Sequence, residues 1–208
     1  MTDSVGTVDE NLRHAQKMKK HKELKDKLLA TKTDEKGLLI VHTGAGKGKT
    51  SAALGMVFRH IAYGYPVGIV QFIKAPEWET GEAMLLKRFP DLATLKVMGE
   101  GFTWDTQDRE RDIAAARAAW EEAKAMIRDD RHRLVLLDAL NIVLRYDYLP
   151  VDEVVTFLRE EKPDWKHVVV TGRNAKPELI ELADLVTEMT LVKHPFRAGI
   201  KGQKGIEF

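Results

Sequence analysis

Leu38-Leu39-Ile40-Val41-His42-Thr43-Gly44-Ala45-Gly46-Lys47-Gly48-Lys49-Thr50 is the stretch that decides the fold. It begins with four consecutive apolar residues, the mark of a strand buried on both faces. A glycine-rich turn follows and closes on Gly48-Lys49-Thr50. Beyond it Leu54, Val57, Phe58 and Ile61 recur at helical spacing, which predicts a helix over 51–63. Strand, glycine-rich turn, Gly-Lys-Thr and helix, in that order, read as a phosphate-binding loop. Gly44, Ala45, Gly46, Lys47 and Gly48 would curl the backbone so that N–H groups face phosphate oxygens. The positive end of the helix, from Ser51 onward, adds to the same field. Lys49 is then placed for the terminal phosphates of ATP, and Thr50 offers its hydroxyl to magnesium. The first consensus position holds Thr43, with Gly44 one residue late, and Lys47 is an extra cation inside the loop.

Working outward, apolar runs predict further strands over 67–72, 95–98, 134–137, 168–171 and 186–191. Helical spacing predicts helices over 108–128, 151–159 and 177–183. Strands alternating with helices argue for an α/β protein: a P-loop NTPase-like three-layer αβα fold with a mostly parallel central sheet. Ligands of such sheets bind beyond the carboxyl ends of the strands. The run 134–137 ends at Asp138, the place for an acid that holds magnesium through water. Ala139 follows it and can do no acid–base chemistry, which counts against a hydrolytic motor. Arg173 emerges at another strand end, Arg109 opens the long helix, and Arg59 lies on the helix after the loop. Each is a candidate for neutralising a triphosphate. Phe102 and Trp104 alternate on a strand-to-helix loop, where aromatics either pack on the domain or line a site for a flat ligand.

The 208 residues suffice for one core of ordinary size. A net charge of +1 gives no nucleic-acid footprint, and the lack of cysteine excludes disulfides and thiolate chemistry. No signal-peptide pattern or membrane-length apolar run is present, so a cytoplasmic location is expected. Residues 1–36 stand apart. Arg13, Lys17, Lys19, Lys20, Lys22, Lys25, Lys27 and Lys32 face only Glu23 and Asp26 between residues 12 and 32, with Leu24, Leu28 and Leu29 at helical spacing. This predicts a basic helical extension ahead of a nucleotide-binding domain over 37–208. A solvated helix is its plainest reading, and a lid over an anionic ligand is the functional one.

Several motifs in one order resemble the P-loop family of ATP:corrinoid adenosyltransferases. They are the stretch from His42 to Thr50, Val70-Gln71-Phe72-Ile73-Lys74, Gly101-Phe102-Thr103-Trp104-Asp105-Thr106-Gln107, Arg145-Tyr146-Asp147-Tyr148-Leu149, Thr171-Gly172-Arg173, and Lys193-His194-Pro195-Phe196 with Ala198-Gly199-Ile200. The resemblance implies attack of a corrinoid Co(I) on the ribose 5′ carbon of ATP, with triphosphate leaving. It implies that Lys47, Lys49, Thr50, Ser51, Arg59, Arg109 and Arg173 contact the triphosphate or its metal, Mg2+ or Mn2+. Lys49, Arg109 and Arg173 would be catalytic, and Thr50 and Asp138 would hold the metal. Phe102 and Trp104 would lie at the corrin, the basic helix would close over the site, an electron donor would supply Co(I), and the enzyme would be a homodimer. The family has glutamate where this chain has Ala139, so weakened metal binding is expected, with Asn141 a candidate to compensate. Ala45 and Gly202 also differ from the usual residues. Two other readings stay open: a different P-loop kinase or ATPase, and a protein that binds ATP and corrinoid with little catalysis.

Overall fold

The computed structural model describes residues 4–77, 80–101 and 108–207. It divides into two compact units, Met1–Glu35 and Lys36–Phe208. The first is essentially one helix, α1 (Ser4–Leu29). Leu12, Met18, Leu24, Leu28 and Leu29 are all exposed on it, so the thin apolar stripe read from the sequence is not buried. An Arg13–Asp9 pair at 2.8 Å, one turn apart, is the kind of solvated contact such a helix carries.

The second unit is built on six strands: β1 (Leu39–Thr43), β2 (Val67–Gln71), β3 (Ala93–Val97), β4 (Leu134–Asp138), β5 (His167–Thr171) and β6 (Leu185–Glu188). Their order across the sheet is β3-β2-β4-β5-β1-β6, and every pairing is parallel. The helices are α2 (Lys49–Ala62), α3 (Gly81–Leu86), α4 (Arg109–Arg128), α5 (Leu140–Arg145), α6 (Val151–Glu160) and α7 (Pro177–Leu182). The mostly parallel sheet expected from the sequence is thus wholly parallel among the described residues, and it forms the middle of three layers.

The central strands are apolar through their middles because they serve two cores, and turn polar at their carboxyl ends. Leu39, Val41, Val135, Leu137, Val168 and Val170 pack with Trp120, Ile127 and Leu158 on the face of α4, α5 and α6. Ile40, Ile69, Leu134, Leu136 and Val169 pack with Ala53, Val57 and Ile61 of α2 on the other. Side chains of a strand alternate between faces. The same alternation fixes which way the last residue of each strand points. Asp138 follows Leu134 and Leu136 onto the α2 face, as Gln71 follows Ile69, Thr171 follows Val169 and His42 follows Ile40.

Candidate functional site

Four polar side chains therefore form a row across the carboxyl ends of neighbouring strands, directly under the start of α2. Gln71 is opposite Asp138 in the β2–β4 register, and His42 is opposite Thr171 in the β1–β5 register. All four are buried, at 4% exposure or less. Asp138 is the hub. Its Oδ1 accepts hydroxyl hydrogen bonds from Thr50 at 2.8 Å and Thr171 at 2.7 Å. Its Oδ2 accepts from the Gln71 amide at 3.3 Å and lies 3.7 Å from the Lys74 ammonium, which is itself paired with Glu82. A buried carboxylate demands such partners. His42 is buried as well, its ring nitrogens have no hydrogen-bond partner among the described residues, and desolvation holds its pKa below the ordinary value.

The loop Gly44–Thr50 leaves β1 beside this row. Gly48, at φ 105°, caps α2 in a left-handed conformation that a side chain would resist. Gly44, at φ 95°, lies under β6; a Cβ there would come within 2.5 Å of the Met189 carbonyl oxygen. The strand edge grips the loop by two further bonds: Met189 N–H donates to Thr43 O at 2.9 Å, and Gly46 N–H donates to Met189 O at 2.6 Å. The Gly46 N–H thus docks the loop onto Met189, just past the end of β6.

Positive charge concentrates here. The Lys49 ammonium donates to Gly44 O at 2.8 Å and also to Gly46 O. Burial, then the Arg173 guanidinium, then the Lys47 ammonium lower its pKa. Lys47 in turn pairs with Glu207, near the end of the chain. Ser51 is exposed on the first turn of α2. Ala139 occupies a left-handed conformation, φ 68°, with its N–H donating to Thr171 Oγ1 at 2.9 Å.

Not every residue singled out in the sequence joins this cluster. Arg59 is in the last turn of α2. Ten residues at 1.5 Å each put it about 15 Å along the axis from Lys49, because α2 runs away from the loop. Arg109 opens α4, where its guanidinium reaches Asp147 O at 3.5 Å and lies 5.9 Å from the centre of the Tyr148 ring. Asn141 does not take the place of an acid at position 139: it is fully buried, and its amide donates to Gly172 O at 3.1 Å. Phe102 and Trp104 lie outside the described residues. The reading from sequence missed Thr171, Gln71, Glu82 and Glu207 as partners of the site. Thr171 and Gln71 follow apolar runs just as Asp138 does, which was the available signal. Glu207 lies 160 positions from Lys47 and offers none.

The donor set fits a hard divalent cation. Thr50 and Asp138 supply oxygen, as magnesium prefers. Among the described residues no three His, Cys, Asp or Glu converge, so phosphates and water would have to complete the shell.

A family model described as ATP:corrinoid adenosyltransferase BtuR/CobO/CobP matches residues 35–208. Proteins named corrinoid adenosyltransferase from Sinorhizobium sp and Pseudomonas aeruginosa are 62% and 52% identical over 200 residues; these span 96% of this chain and 93% and 98% of theirs. One from Salmonella typhimurium is 43% identical over 94% of this chain and 98% of its own. Among solved structures, a KaiC-like protein from Pyrococcus horikoshii overlays with a TM-score of 0.46 at 14% identity, over 76% of this chain and 75% of its own, too loose a likeness to bear on function.

Proposed function

This chain belongs to the ATP:corrinoid adenosyltransferase family and is a transferase of that type, and from this premise we infer that its phosphate loop holds a leaving group. ATP is the co-substrate. The Co(I) of the corrinoid attacks the ribose 5′ carbon, the bond from that carbon to the bridging oxygen breaks, and its electrons depart with triphosphate. Cobalt ends as Co(III) bonded to carbon. No proton has to move, so the absence of a general base beside Asp138 is no obstacle.

The observation that carries this reading is the convergence of Lys49, Lys47 and Arg173 on one loop, with burial and mutual repulsion lowering the Lys49 pKa. Such a cluster is stabilised by a polyanion and suits the charge that grows on a departing triphosphate. Thr50 and Asp138 would hold Mg2+ or Mn2+, and the ion would supply further neutralisation of that charge when bound. Arg109, on the Tyr146–Tyr148 loop side, would act from outside this cluster. Phe102 and Trp104 would meet the corrin face, with α1 as a lid. An electron donor that reduces Co(II) to Co(I), a homodimer and a cytoplasmic setting complete the proposal. No described helix is long and apolar enough to cross a membrane.

The test supplies ATP, Mg2+ and chemically reduced cobalamin. Light-sensitive adenosylcobalamin should form in step with triphosphate. Release of ADP would return the chain to the kinases or ATPases. Binding of both substrates with no product would favour a carrier.

A further inference from the structure

Asn141 is the second residue of α5, and nothing in it is exposed. A buried primary amide has two donors and an acceptor to satisfy. Its Nδ2 donates to Gly172 O at 3.1 Å, while its Oδ1 has no partner among the described residues. Leaving a buried acceptor unpaired is costly, so this side chain is a poor device for stability alone. What its one bond achieves is local. Gly172 stands at φ 130°, and a Cβ there would come within 2.8 Å of the Asn141 Cβ. The carbonyl of Gly172 is thus pinned against α5 at the peptide bond that leads into Arg173.

The same short loop is braced from the opposite side. Gly172 N–H donates to His42 O at 3.2 Å, and Ala175 N–H donates to the Thr43 hydroxyl at 3.0 Å. Between these braces Arg173 is exposed and Asn174 is left-handed, φ 56°. Three fixed points on two elements therefore surround one long, exposed cation, at the strand end next to the phosphate loop. We propose that Asn141 and Thr43 are positioning residues that hold the 172–175 loop so that Arg173 meets the triphosphate. The proposal rests on the reading of the loop as a triphosphate holder.

Inorganic triphosphate with Mg2+ is the probe, its affinity measured by calorimetry on the full chain, and no corrinoid or turnover is involved. Arg173→Ala should weaken binding about tenfold, the worth of one charge-assisted contact. Asn141→Leu, close in size and without the donor, should weaken it several-fold with the protein still fully folded at the temperature of the titration. Thr43→Val should act likewise and serves if the Asn141 variant fails to fold. Either change made in the Arg173→Ala background should cost nothing further, since both act through that side chain. Additive losses, or unchanged affinity in both Asn141→Leu and Thr43→Val, would overturn the proposal. If Arg173→Ala itself binds triphosphate normally, the underlying reading of the site fails, and the proposal falls with it.

Discussion

Lys49 shows how one side chain couples the fold to the chemistry. Its ammonium is folded onto the Gly44 and Gly46 carbonyls and lies in the field of Arg173 and Lys47, and these with burial lower its pKa from 10.5. A bound polyanion favours the charged form. Triphosphate affinity should therefore be full below the depressed Lys49 pKa and fade as pH rises through it, at lower pH than an ordinary lysine would give. Lys49→Arg keeps its charge and should remove that alkaline limb in a pH series of binding titrations; an unaltered limb would assign it to another group. Ala139 is the other informative residue. Its left-handed backbone is imposed by the junction of β4 and α5, and costs a β-carbon-bearing residue roughly 1–2 kcal/mol. Glutamate at that position meets the same penalty as alanine, so Ala139→Glu should leave the melting temperature within about a degree or two. It should tighten Mn2+ binding in the presence of ATP about tenfold, read by titration, because metal affinity follows the charge count of the ligands. Equal Mn2+ affinity in the two proteins would show that the missing acid has no role in this chain.

Helices and strands were legible where one rule governed them. Continuous apolar runs mark β1, β4 and β5, which are buried along both faces, while the edge strand expected over 95–98 runs Ala93–Val97 with alternating exposure; the 3.6-residue spacing marks α2, α4 and α6. The edge strand β6 was drawn to residue 191 and stops at Glu188. Beyond that point the chain turns its backbone bonds toward the loop at Gly46, which no periodicity reveals. The short helices α3 and α5 span fewer than two turns and show little pattern, whereas the equally short α7 begins with Pro177 in its first turn, a helix-start signal. The row of Gln71, Asp138, Thr171 and His42 was legible only in part. Each is a single polar residue ending its own apolar run, and only the strand order brings them side by side. Lys166 is a further case in which placement decides the role. It is fully buried beneath the end of α4, donating to Ile127 O at 2.5 Å and Asp129 O at 2.6 Å, and burial lowers its pKa. Replacing it with methionine removes donors from helix-terminal carbonyls that have no intrahelical partner. Lys166→Met should cost about 2 kcal/mol, a fall of roughly 4–8 °C in melting temperature by calorimetry; unchanged stability would show that the carbonyls find other donors.

At the scale of the whole chain, the boundary read near residue 36 lies beside the division between Met1–Glu35 and Lys36–Phe208. The second unit contains both cores and the phosphate loop. Removal of residues 1–35 should therefore leave its melting temperature nearly unchanged and leave triphosphate binding intact. If α1 acts as a lid, adenosyl transfer should fall while affinity for the bare triphosphate holds; equal transfer rates would remove the lid from the account. The family match places the remainder, from residue 35 to the end, within one kind of chemistry. In the proposed reading of that chemistry the loop from Gly44 to Thr50 holds what departs. The claim is tested most directly with ATP carrying oxygen-18 in the bridge between the ribose 5′ carbon and the α-phosphate, reduced cobalamin, and mass spectrometry of the products. Attack at carbon sends the label out with triphosphate, which is the expected result. Label retained on an adenosine-containing product, with ADP or AMP formed, would contradict it.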